Sequence, residues 1–177
     1  MQSARPIVTG LLVIVVAVIG VSLALRVYLG RPAEDRLRPE EAVDSLARLR
    51  SPLPQPSFLA CPPGYCAASE ARPSPTFAMP WERLRDYWLE MIADDRRLTK
   101  VDSDPERRRL VYIRHTPVLR FPDIVTVEFV QLPTGRAGIA LYSRSRYGSY
   151  DFTKNRKRVE RWLLLLQQAA GAAASAS

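Results

Sequence analysis

Apolar and polar positions along this chain fall into distinct patterns, each predicting a different element. From Pro6 to Leu25 no charge interrupts an apolar run. About 20 such residues at 1.5 Å each cover a ~30 Å hydrocarbon core, so residues 1–30 are expected to form a transmembrane helix. A cleaved signal peptide is the competing reading, with Ser22 and Ala24 as small residues at a cleavage-like position. Residues 31–57 read as a proline-stiffened stalk. Within it, Pro39–Arg50 predicts a short helix with acids in its first turn, arginines in its last, and Val43, Leu46 and Leu49 on one face. Trp81, Leu84, Trp88, Met91 and Ile92 then recur at helical spacing behind Pro80. Four runs read as strands: Arg97–Val101, Leu110–Arg114, Ile124–Val130 and Ala137–Ser143. Turns at Asp102–Pro105 and Pro133–Gly135 separate some of them. Val159, Trp162, Leu163 and Leu166 mark a last helix over about Thr153–Gln168.

Strands joined by short connections pair antiparallel with their sequence neighbours. The expected fold is therefore α+β: an antiparallel sheet of about four strands in meander order, two helices on one face, preceded by an N-terminal transmembrane helix. Residues 58–168 form the single domain, long enough to bury roughly 65% of its unfolded surface. The Ala/Ser stretch 169–177 is expected to be a disordered tail.

Charge adds a partner class. Lys and Arg number 26 against 18 Asp and Glu, a net charge of +8, which favours anionic partners. Basic residues after the apolar run favour a cytoplasmic body. The cysteine pair favours the opposite side, and that is the side expected here: a single-pass protein of the bacterial inner membrane with a periplasmic body.

The candidate chemistry is sparse. Cys61 and Cys66 enclose the tight loop Pro62-Pro63-Gly64-Tyr65, and either a disulfide or two structural thiols would suit it. With His115 as the one histidine, a two-His metal site is excluded, and a C-x4-C pair with no second pair is not a strong zinc spacing, so a zinc site of both cysteines, His115 and a carboxylate is a minor alternative; no metal and no cofactor is expected. No G-x-S-x-G elbow accompanies His115. The acids Asp123, Glu128 and Asp151 are candidates for acid/base work, without a sequence reason for them to converge.

The run Ser143–Glu160 carries more. Alternation places Arg144 and Arg146 on one side of a strand end, with Ser143 and Ser145 on the other. Gly148 permits a sharp turn, and Asp151 or Thr153 can cap the helix that follows. That helix presents Lys154, Arg156, Lys157, Arg158 and Arg161 in its first two turns. A site for a carboxylate, phosphate or lipid headgroup is one reading. The other is structural: Arg146 paired with Asp151 or Asp123, Asn155 tying down a loop, and a solvated cationic face.

At this run the chain resembles the domain-of-unknown-function family 1499 of bacteria and chloroplasts. The residues that carry the resemblance are Ser145, Arg146, Gly148, Asp151, Asn155, Arg156, Arg158 and Glu160, joined by Phe121-Pro122-Asp123 and by Cys61-Pro62 with Cys66. The chain departs from the family pattern at Tyr65 and Thr153 and by one residue in the cysteine spacing. The resemblance implies no established activity.

The expected function is thus a membrane-anchored extracytoplasmic, non-enzymatic domain. It binds an anionic small molecule, a lipid headgroup or an acidic protein through Arg144, Ser145, Arg146, Gly148, Asp151, Asn155, Arg156 and Arg158. The alternative is an envelope hydrolase or transferase that uses Asp123, His115 or Asp151 on an anionic substrate. Nucleic-acid binding, with Tyr142, Tyr147 and Tyr150 as a stacking surface, is the least favoured reading. No oligomeric state is assigned.

Overall fold

The computed structural model describes residues 4–29, 36–117 and 120–175, and for 4–9, 11, 26–29 and 173–175 the backbone alone. Its first helix, α1, runs over Ala4–Leu29. Among the described residues no helix is long and apolar enough to cross a membrane. That corrects the transmembrane element expected over residues 1–30.

Seven strands follow among the described residues: β1 (Ser57–Cys61), β2 (Arg72–Pro73), β3 (Thr76–Phe77), β4 (Leu98–Asp104), β5 (Arg109–His115), β6 (Pro122–Gln131) and β7 (Ala137–Ser145). Helix α2 (Trp81–Ile92) precedes β4, and α3 (Lys154–Ser175) follows β7. They form one mixed sheet in the order β2-β1-β7-β6-β5-β4, with β3 also paired to β7. All pairings are antiparallel except β1 with β2. The expectation of about four strands therefore missed the edge built by β1, β2 and β3. β1 is a short apolar run behind prolines, and β2 and β3 have two residues each, too few to show a period.

Helices α2 and α3 cover one face. Leu84, Trp88 and Ile92 of α2 and Val159, Trp162, Leu163 and Leu166 of α3 pack on Tyr112, Val125, Val127, Phe129, Ile139 and Leu141. Trp88 is fully buried, stands edge-on to Trp162 at 5.3 Å and donates its indole N–H to Tyr112 Oη at 3.2 Å.

The opposite face is covered as well, and this is the main departure from the expected two layers. Residues 36–56, read as a stalk, lie as a strap across the sheet; the rest of that stretch, 31–35, lies outside the described residues. Leu46, Leu53, Leu59, Ala68, Ala140 and Tyr142 form a second core there. Burial on both faces makes every β6 residue from Pro122 to Val130 buried. The predicted helix over Pro39–Arg50 is replaced by two short 3-10 turns, Pro39–Glu41 and Leu46–Arg48. Sheet side chains capture the backbone groups a helix would use for itself. Arg109 donates Nη1 to the Val43 carbonyl and, at 3.2 Å, to that of Asp44. Glu128 Oε1 accepts the Leu46 N–H at 2.8 Å.

The Cys61–Cys66 disulfide, with Cα atoms 6.0 Å apart, closes a loop on the same face. A Cβ at Gly138 would lie 2.6 Å from Pro62 Cγ, so glycine allows this loop to seat on β7. The Ala-rich end is not a disordered tail as far as it is described: α3 continues to Ser175, in keeping with alanine's high helix propensity, and Ala170 rests on the core. Residues 176–177 lie outside the described residues.

Candidate functional site

The strand-to-helix run splits into two polar networks on opposite faces of the sheet, as strand alternation requires. On the helix face, Ser143 and Ser145 point at Asn155. Ser143 Oγ donates to Asn155 Oδ1 at 2.7 Å, and Asn155 Nδ2 donates to Ser145 Oγ at 3.2 Å and to Asp151 Oδ2 at 2.7 Å. Asp151 caps α3: its carboxylate accepts the Thr153 and Asn155 N–H groups, both at 2.9 Å. Arg158 donates Nη1 to Ser143 Oγ at 2.7 Å and to Asn155 Oδ1 at 2.8 Å, and pairs through Nη2 with Asp123. Its side chain is 7% exposed and that of Asp123 4%.

On the strap face, Arg146 meets Glu41 bidentately, Nε to Oε1 at 2.6 Å and Nη2 to Oε2 at 2.7 Å, and donates Nη2 to the Arg36 carbonyl at 2.8 Å. The two side chains are 1% and 7% exposed. Arg144 donates Nη2 to the Glu41 carbonyl at 2.9 Å. Burial alone would raise the Glu41 carboxyl. The hydrogen bonds from Arg146 and from the Arg38 N–H, with the nearby positive charge, outweigh it and hold the group below its usual range.

These contacts place the predicted residues. Arg146 and Arg158 are buried and neutralised, and Arg144, Ser145, Asp151 and Asn155 are joined to them. Gly148 supplies the turn, with φ +87°. Arg156 is exposed and pairs with Glu160 one helical turn on, at 2.7 Å. Most of the motif therefore locks the strap and α3 to β7. Arg146 takes its acid from the strap, 105 residues away in sequence, rather than from Asp151 or Asp123.

Open cations lie next door. A cleft of about 770 Å³ separates the end of α2 and the loop after it from the first turns of α3 and the end of β5. Seven cations line it: Arg96, Arg97, Arg114, Lys154, Lys157, Arg158 and Arg161. Asp94 and Asp95 are its acids, and Ile92, Trp162 and Leu165 are among its apolar residues. Asp95 is used by Arg114 at 3.1 Å and Arg97 at 3.4 Å. Burial and the charge of Arg158 push the Arg114 guanidinium down, and Asp95 counters them. Asp95 itself is held low: burial would raise it, and Arg114 with the Arg97 N–H wins. That leaves Arg96, Lys154, Lys157 and Arg161 without an ion pair among the described residues, against Asp94 alone.

None of Asp123, His115 and Asp151 lines this cleft. Asp123 faces α3 through Arg158, whereas His115 shares the strap face with Arg109 by alternation along β5. Tyr142 is buried and Tyr147 accepts from Arg38, so of the three tyrosines read as a stacking surface Tyr150 alone is exposed.

Glu128, one of the acids read as an acid/base candidate, sits under the strap, and its pairing with Tyr65 is what the sequence did not show. Glu128 is 1% exposed and accepts from the Leu46 N–H and, at 2.9 Å, from Tyr65 Oη, beside a cavity of about 210 Å³. Burial raises the Glu128 carboxyl despite these donors. Burial and the charge of Glu128 push the Tyr65 hydroxyl up to about 12. The available signal was one acid inside the apolar run Ile124–Val130.

No curated protein and no solved structure matches the chain. A family model does, over residues 59–166, from β1 through most of α3, and so takes in the cysteine pair, the strand-to-helix run and the cleft. The chain therefore belongs to the family described as Protein of unknown function (DUF1499).

Proposed function

We propose that this protein is a binding module for a small organic anion, held in the cleft between α3, the end of β5 and the corner after α2. The observation that carries the reading is the excess of unpaired cations there: Arg96, Lys154, Lys157 and Arg161 against Asp94. Trp162, Ile92 and Leu165 supply an apolar floor, so the preferred ligand joins a phosphate or carboxylate to an apolar body. Arg146 and Arg158 do not take part directly, because each already has a buried carboxylate partner. An oxidising, extracytoplasmic compartment is part of the proposal and is supported by the Cys61–Cys66 disulfide.

Calorimetric titration with inorganic pyrophosphate tests the reading. Lys157→Glu with Arg161→Glu should weaken binding at least about tenfold, a loss of ~1.4 kcal/mol. Arg156→Ala, outside the cleft, should leave it unchanged. Equal weakening by both variants would mean diffuse attraction by net charge and would sink the proposal.

A further inference from the structure

A second surface borders the cleft and shares Lys154 and Lys157 with it. Between β7 and α3 the chain turns at Gly148 and projects Tyr150 and Phe152 outward, 69% and 67% exposed. Their rings stack edge-on at 4.8 Å. Outside α1, the large exposed apolar side chains among the described residues are Leu89, Tyr150, Phe152 and Leu164, and only this aromatic pair stands together on one turn. Neither residue lines the cleft.

The backbone holds the pair outward against its own preference. Phe152 and Thr153 take φ +54° and +61°, a region that bulky and β-branched residues avoid. The conformation is fixed by Asp151, whose carboxylate accepts the Thr153 and Asn155 N–H groups and whose carbonyl accepts that of Lys154 at 3.1 Å. Two aromatic rings are thus kept in water by a turn that the rest of the fold maintains.

Cations surround the turn. Lys154 lies over the Phe152 ring, 5.6 Å from its centroid, and Lys157 follows one helical turn on. The nearby acids are engaged, Asp151 as the cap of α3 and Glu160 with Arg156. Exposed aromatic rings with flanking ammonium groups match the interfacial layer of an anionic bilayer. There amphipathic rings settle at headgroup level, and lysines are drawn by lipid phosphates.

We infer that the turn Gly148–Thr153 docks on the surface of an anionic lipid bilayer, with Tyr150 and Phe152 entering the headgroup layer and Lys154 and Lys157 meeting its phosphates. The inference stands whether or not the cleft holds a ligand. Phe152→Trp in the full chain provides the reporter, its emission read as the difference from wild type. The chain is added to phosphatidylcholine vesicles and to vesicles also containing phosphatidylglycerol. Whatever the apolar stretch of α1 contributes is common to both, so their difference reads the turn.

With anionic vesicles the added tryptophan should shift to the blue and lose about half its signal or more to dibrominated acyl chains. Lys154→Glu with Lys157→Glu should abolish the effect. Arg161→Glu, which alters the cleft but not the turn, should preserve it. Tyr150→Trp should repeat the result from the other ring. No shift with either vesicle, or equal quenching in both, would overturn the inference, the second because docking would then owe nothing to charge.

Discussion

Glu41→Gln is the sharpest perturbation of the fold, because it removes the charge of a buried carboxylate that Arg146 grips with two hydrogen bonds. The Arg146 side chain is 1% exposed and gives Glu41 two hydrogen bonds, at 2.6 and 2.7 Å. The glutamine would present an amide N–H₂ to a guanidinium that accepts nothing, and the buried pair would lose its negative charge. Breaking a buried pair in this way costs about 3–5 kcal/mol, against 0–1 kcal/mol for an exposed pair. At about 2–4 °C per kcal/mol for a protein of this size, Tm should fall by roughly 10 °C, followed by near-UV circular dichroism of the buried tryptophans. Replacing both partners, Glu41→Leu with Arg146→Met, removes both charges and should recover more than half of the loss. The pH dependence has a definite sign. The Glu41 carboxyl lies lower in the folded chain than in the unfolded one, so its contribution is present above the unfolded value and disappears as pH falls through the folded one. Glu41→Gln should lack that acid limb. A cost below about 1 kcal/mol would refute the reasoning, since the strap would then not be locked to the sheet.

Two further outcomes follow from the same contacts. Glu128 has the opposite sign to Glu41: its carboxyl is raised on folding, so its contribution is present below the unfolded value and lost as pH rises through the folded one. Glu128→Gln should therefore raise Tm above wild type at pH 8 and match it near pH 4, and a clear loss at pH 8 would contradict this. Alkylation in intact cells should leave Cys61 and Cys66 unmodified until a reductant is added, then modify both; immediate modification would place the body in a reducing compartment.

Legibility in the sequence followed the range of the signal. Helical spacing located α2 and α3 because Leu84, Trp88, Val159 and Leu166 recur within one element and share one core. Alternation also placed Arg144 and Arg146 opposite Ser143 and Ser145. Partners were harder to read. Glu41 and Arg146, or Asp123 and Arg158, meet only after the sheet has formed, and no local period links them. The strap illustrates the same limit: its helix-like spacing lost to Arg109 and Glu128, which took its backbone groups. Density of positive charge was a poor guide to the site. The arginines of the motif are largely consumed inside the fold, while the open cations are Lys154 and Lys157 of the same run joined by Arg96 and Arg161 from outside it.

The division between locked and open cations can be mapped residue by residue. Amide chemical shifts followed during titration with inorganic pyrophosphate should move at residues 91–97 and 154–162, around the cleft, with little change at 36–41 and 144–147. Movement concentrated at the strap and around Arg146 instead would contradict the account, because it would mean that a ligand can reach a guanidinium that Glu41 is held to occupy.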